Sequence, residues 1–297
     1  MSSGYDVWFT ADAEAFLDRA GAALERDPVT ASVISTMADR VAAHGMPEGV
    51  PDAWFAVVSG PDDRIAGVAM RTAPFEPWPP YVLAMTDEAT DALAAAVVAR
   101  GFEVGGAAGL RPTADRFAEA VAAATGRTVS VHLHHRLHEL GTLVDPRPVA
   151  GRLRPVRDDE TELALTWIHQ FFRDADRQAG REGGHLDEVA SFGIDEVERR
   201  RAAGVLWFWV DEDDRPVHLT GANPPAFGVT RIGPVYTPEH ERGRGWAGAA
   251  VAEVSRQSQA RGDRPVLFTD QANPTSNALY QALGYEAVVD TVRLSIS

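Results

Sequence analysis

The chain has 297 residues, 45% of them hydrophobic and 24% charged, with a formal net charge of −15, no cysteine and no lysine, its 28 basic side chains all being arginine. This excludes disulfides, thiolate metal sites, a cysteine nucleophile and every lysine-dependent chemistry, and so acidic a chain is a poor general nucleic-acid binder. The acidity suits solubility first and a cationic small molecule or peptide second. With no basic-then-apolar leader in "MSSGYDVWFT" and no run of membrane-spanning length, a soluble cytoplasmic protein without a membrane partner is expected.

The first half alternates helical and extended patterns. Helical segments fill about residues 11–45, and strands "AWFAVVS" and "IAGVAMRT" meet at the turn "GPDDR". Strand "YVLAMT" precedes the helix "DEATDALAAAVVARG". A glycine-rich strand, the helix "TADRFAEAVAAATG" and the strand "TVSVHLHHRLHEL" follow. His132, His134 and His138 share a face of that last strand, but Arg136 between them would repel a cation, so no metal site is expected.

Three prolines and a glycine in "LVDPRPVAGRLRPVRDDE" mark a boundary, giving domains over residues 1–143 and 150–297. Past it come the strand "RLRPV" and a helix carrying Leu163, Trp167 and Phe171 on one face. A second helix is expected from His185 to Gly204, then the buried strand "VLWFWV" and the strands "RPVHLTGAN" and "GVTRIGPVYT". A glycine loop leads into a helix ending near Arg261. The strand "PVLFTD", the short helix "PTSNALYQALG" and the strand "YEAVVDTVRLSI" close the chain. The second half thus repeats the element order of the first while sharing almost no residues with it.

The loop "RGRGWAG" fits two ligands. As G-x-G-x-x-G it matches a dinucleotide fingerprint, with Asp270 at the end of the next strand in the ribose position. But five residues separate the preceding strand from the first glycine, and the chain ends before the rest of such a sheet could follow. The other ligand is a diphosphate held by bare backbone N–H groups at a helix start, with Arg242 and Arg244 beside it. The strand before the loop can then pair with an extended ligand arm.

Arg242-Gly243-Arg244-Gly245-Trp246-Ala247, followed by Asn273 through Tyr280 and then Leu283-Gly284-Tyr285, resembles the coenzyme A core of the GCN5-related N-acetyltransferases (GNAT). The resemblance covers about residues 150–297, and the first half is similar to a degenerate copy, as in tandem members of that family. It implies a mixed α/β fold of two GNAT-like domains, each a mostly antiparallel twisted sheet flanked by helices. It implies acetyl-coenzyme A as donor and the amine of a small molecule or peptide as acceptor, with direct attack in a ternary complex. Arg242 to Ala247 would hold the diphosphate, Val235 and Tyr236 the pantetheine arm through their backbone, and Asn273 and Asn277 its amides. Tyr280 would protonate the leaving thiolate. For the base, Asp270 ranks ahead of Glu239 and His218. A coenzyme A-binding regulatory or scaffold protein with little turnover is the alternative. Oligomeric state is not legible in the sequence.

Overall fold

The computed structural model describes residues 4–47, 49–178, 180, 189 and 192–297. The chain divides into two compact units, Met1–His135 with Val289–Ser297, and Arg136–Val288. The linker expected at 143–150 is therefore not where the units part. The chain leaves the first unit inside one long strand and returns to it at its own end, and a mid-strand crossing leaves no proline or glycine signal in the sequence.

The first unit runs β1 (Asp6–Thr10), α1 (Ala13–Arg26), α2 (Ser32–His44), β2 (Trp54–Ser59), β3 (Ile65–Arg71), β4 (Tyr81–Val82), α3 (Asp87–Ala99), β5 (Gly106–Leu110), α4 (Thr113–Thr125) and the start of β6 (Val129–Leu140). Strands β1, β2, β3 and β4 pair antiparallel in that order, and β4 then pairs parallel to β5. Asp12 caps α1 by accepting the Ala15 N–H at 3.1 Å, and Thr86 caps α3 by accepting the Ala89 N–H at 3.3 Å. The expected strand over 81–86 is thus cut to two residues, because its last residue is spent as that cap. The core gathers fully buried Phe117, Leu93 and Val97 against Val58, Ala69 and Val82 of the sheet.

The end of β12 (Tyr285–Ile296) belongs here too. Thr291 to Ser295 pair antiparallel with Leu110 to Gly106, and buried Val292, Leu294 and Ile296 join the first unit's core.

The second unit holds β7 (Arg152–Pro155), α5 (Thr161–Gln178), α6 (Ile194–Ala202), β8 (Leu206–Val210), β9 (Pro216–Ala222), β10 (Val229–Tyr236), α7 (Trp246–Ala260), β11 (Arg264–Asp270) and α8 (Pro274–Ala282). Helix α6 begins at Ile194, after extended Gly193, so the helix expected from His185 does not run unbroken to Gly204; residues 185–188, 190 and 191 lie outside the described residues. Strands β7, β8, β9 and β10 pair antiparallel, and β10 then pairs parallel to β11. Both units therefore carry one parallel pair at the same place in an otherwise antiparallel order. Strand β8 is buried at all five positions, with Phe208 and Leu206 packed against Trp167 and Ile168 of α5.

Candidate active site

The two parallel pairs differ in a way that decides where a ligand can go. In the second unit the β10–β11 ladder stops at Ile232↔Leu267, although both strands continue. Beyond it, a bulge between Ile232 and Val235 shifts the register against β9, and Pro234 has no N–H to offer. Val235 and Tyr236 keep their partners on β9 and have none on β11, so the sheet opens there. In the first unit β4 and β5 stay together: a side chain at Gly109 would lie 2.1 Å from the Val82 carbonyl oxygen, so only glycine permits that approach.

The helix starts differ in the same sense. Thr86 caps α3, and Asp87 and Glu88 occupy its first turn, which repels an anion. Helix α7 has Gly245 at φ +86 before it and no side-chain cap. Its first N–H groups are not met by any side chain of its own, and its N-terminal partial charge faces the opening.

A cleft of about 300 Å³ lies at this opening. Its lining includes Val235, Tyr236 and Thr237 of the β10 end, the loop from Glu241 to Gly248, Asn273, and Tyr280 of α8. Across from them stand Phe171, Asp174 and Gln178 of α5. Residues 226–294 match the family model described as FR47-like protein. The chain is similar in structure to a GNAT-family acetyltransferase from Colwellia psychrerythraea (9% identity, 98% of this chain and 99% of that one covered, TM-score 0.56). It is similar to a GCN5-related N-acetyltransferase from Sphaerobacter thermophilus (16%, 98% and 95%, 0.53) and to a tandem GNAT protein from the clavulanic acid biosynthesis pathway (13%, 99% and 98%, 0.56). No curated protein matches it in sequence.

The chain has the GNAT fold. Within that fold Tyr280 is 7% exposed and lines the cleft, and its hydroxyl has no hydrogen-bond partner among the described residues. Burial, with Tyr285 nearby, pushes its pKa far above that of an ordinary phenol, so it carries its proton throughout the neutral range. The Trp246 indole N–H is likewise buried without a partner in the cleft wall.

The two loop arginines are both engaged. Arg242 donates to the Asp174 carboxylate, and its Nε donates to the Thr237 carbonyl at 3.0 Å. Arg244 lies 3.2 Å from Glu241, a carboxylate only 3% exposed that also faces Arg215 at 3.2 Å. Asn273 caps α8 by accepting the Ser276 N–H at 3.1 Å and donates through Nδ2 to Gln178 at 2.7 Å.

Four residues that the sequence nominates, Asp270, Asn277, His218 and Glu239, lie off the cleft lining. The Asp270 Oδ1 accepts the Ala272 N–H at 2.8 Å, closing the turn after β11, and Asn277 donates to the Asp270 carbonyl at 3.2 Å. A carboxylate that ends a strand is drawn to its own following turn, which is the physical reason neither side chain reaches the cleft. His218 is fully buried, with its ring nitrogens 2.7 Å from the Thr237 and Thr220 hydroxyls, and burial lowers its pKa to about 3. It cannot meet a ligand. Glu239 is exposed outside the cleft. His134 lies 3.5 Å from Arg111, and His138 is buried with Nδ1 3.3 Å from the Arg136 carbonyl; they do not converge on a common point.

The sequence offered Asp174 only as an acidic residue that could attract a cationic amine or be a solvated helix end, and did not point to Thr237, Glu241 or the stripe that Asp174 forms with Gln170 and Gln178. That stripe did have a signal: Gln170, Asp174 and Gln178 recur every fourth residue on one helical face.

Proposed function

We propose that the second unit is an acetyl-coenzyme A-dependent N-acetyltransferase acting on the primary amine of a small molecule or peptide. One observation carries this reading: an uncapped glycine-rich helix start and a buried tyrosine with an unused hydroxyl line the same cleft, where β10 parts from β11. The residues present fit the carrier. Gly243 and Gly245, at φ +77 and +86, keep Cβ atoms away from a diphosphate, and the start of α7 supplies N–H donors. The β11-facing backbone of Val235 and Tyr236 is available to an extended amide-bearing arm. Asn273 stands at the far side of the same cleft as an amide partner.

When bound, acetyl-coenzyme A supplies an acetyl group on a thioester with a thiolate leaving group. The backbone N–H groups at the end of β10 orient and polarise the carbonyl. The acceptor nitrogen would form the new C–N bond as the C–S bond breaks, Tyr280 Oη would give its proton to the departing sulfur, and the proton shed by the acceptor nitrogen would return through solvent to the Tyr280 phenolate. A raised phenol pKa is no obstacle, because the same dry surroundings raise the sulfur's proton affinity.

Titration calorimetry and thiol release test the reading together. We expect wild type to bind acetyl-coenzyme A, to leave NAD and NADP unbound, and to free thiol with at least one amine of a broad panel. Tyr280→Phe should lower kcat about 10²-fold with carrier affinity close to wild type. Binding of a dinucleotide alone would overturn the reading. Carrier binding with no thiol release for any amine would favour a regulatory binding protein.

A further inference from the structure

The stripe on α5 does something specific to the cleft. Gln170, Asp174 and Gln178 lie on one helical face, successive members about 6 Å apart along the axis, and each bonds a different part of the opposite wall. Gln170 accepts from the Tyr236 hydroxyl at 3.0 Å, Asp174 accepts from Arg242, and Gln178 accepts from Asn273 Nδ2 at 2.7 Å. The last two bonds have a particular chemistry. Asp174 presents an anion to the first arginine of the diphosphate loop. Gln178 presents an amide carbonyl to the asparagine placed to hold an amide. Asp174 is shielded, its side chain 13% exposed, while Arg242 is 36% exposed, and Arg177 also lies 3.0 Å from Asp174.

Resting on the functional reading above, we infer that Asp174 and Gln178 are specificity residues of the cleft. They make, from within the chain, the anionic and amide contacts that the carrier makes with Arg242 and Asn273. A ligand offering only phosphates competes with Asp174 for Arg242 and gains nothing at Asn273. A ligand offering only the pantetheine amide faces the converse. A molecule bearing both groups on one chain replaces both contacts in a single binding event and pays the entropy of association once. The Gln170–Tyr236 bond lies beyond the replaced pair and keeps α5 attached. The cleft thereby selects the complete carrier over its fragments.

Calorimetry on the full-length chain tests this with three ligands: coenzyme A, ADP as the phosphate fragment and pantetheine as the amide fragment. Asp174→Asn should tighten ADP binding about tenfold, because a charge-assisted bond no longer competes, and should leave pantetheine unchanged. Gln178→Leu should tighten pantetheine and leave ADP unchanged. Thermal melting verifies that each variant is folded, and Asp174→Ala supplies a second substitution should the asparagine retain the contact. ADP binding to Asp174→Asn and Asp174→Ala that is unchanged or weaker would overturn the inference, since it would make Asp174 a support for Arg242. Wild type binding coenzyme A with variants that behave identically to it would sink the inference and spare the functional reading. Wild type that binds no coenzyme A would overturn both.

Discussion

His218 shows how much one buried side chain can hold. It sits on β9 with no exposed surface, and its two ring nitrogens meet the hydroxyls of Thr220 and Thr237 at 2.7 Å. Thr237 lines the cleft, and its carbonyl receives the Arg242 Nε–H at 3.0 Å. A buried imidazole therefore fixes the strand end on which the first loop arginine rests. Burial lowers its pKa from the ordinary 6.5 to about 3, because a charged ring would lose its hydration there. A depressed folded-state pKa contributes stability that is whole above pH 6.5 and is lost as pH falls toward 3. Each proton taken up only by the unfolded chain tilts stability by about 1.4 kcal/mol per pH unit. Urea unfolding between pH 6.5 and 4 should thus show a steeper decline for wild type than for His218→Gln, which has no such ring to protonate. Parallel declines in the two proteins would mean that His218 is charged in the fold. Hydrophobic neighbours Val217 and Leu219 signalled a strand, but nothing local in the sequence says which way the histidine points; its fate depends on Thr237, nineteen residues away.

The elements of the cleft work through what they omit. Helix α7 begins without a side-chain cap, β10 ends without a partner on β11, and Gly245 lacks the Cβ that would meet Val149 Cγ1 at 2.9 Å. At φ +86 that glycine also occupies backbone space that costs an L-residue about 1–2 kcal/mol. Gly245→Val should therefore lower stability by about that amount or more and reduce carrier affinity beyond detection by calorimetry, since the side chain projects beside the diphosphate approach. Undiminished affinity in a folded Gly245→Val protein would remove the loop from the binding site. The glycine loop, the helix after it and the short helix α8 were legible as elements in the sequence because glycine spacing and an N-cap asparagine are local signals. The base was not. Asp270 ends its strand as expected, and its carboxylate turns to the Ala272 N–H instead of the cleft, a choice made by three residues of turn geometry that no spacing rule records. The stripe on α5 was visible as a period of four, but its meaning came from the opposite wall.

At the scale of the molecule, one element order occurs twice, and among the described residues the parallel pair parts in the second copy and stays closed in the first. Gly109 closes the first unit's parallel pair and acidic residues fill the start of α3, whereas the second unit's pair parts and α7 starts bare. The chain's last residues serve the unit without the opening. Val289–Ser297 belong to the first unit, where Thr291 to Ser295 pair along β5 and Val292, Leu294 and Ile296 are each at most 4% exposed. Removing them takes away a paired strand and three buried aliphatic side chains, each contributing about 2–4 kcal/mol by analogy with core truncations, a sum comparable to the whole stability of an ordinary domain. A chain ending at Val288 should accordingly lose slow amide exchange across β5, measured by hydrogen–deuterium exchange, because that strand loses one of its two ladder partners. The cleft residues, all between Phe171 and Tyr280, remain present in the shortened chain. Coenzyme A should still slow exchange in α7 and at the end of β10. Full protection of β5 in the truncated protein would show that the returning strand is dispensable to the first unit's sheet, and the assignment of the chain's end to that unit would carry no energetic meaning.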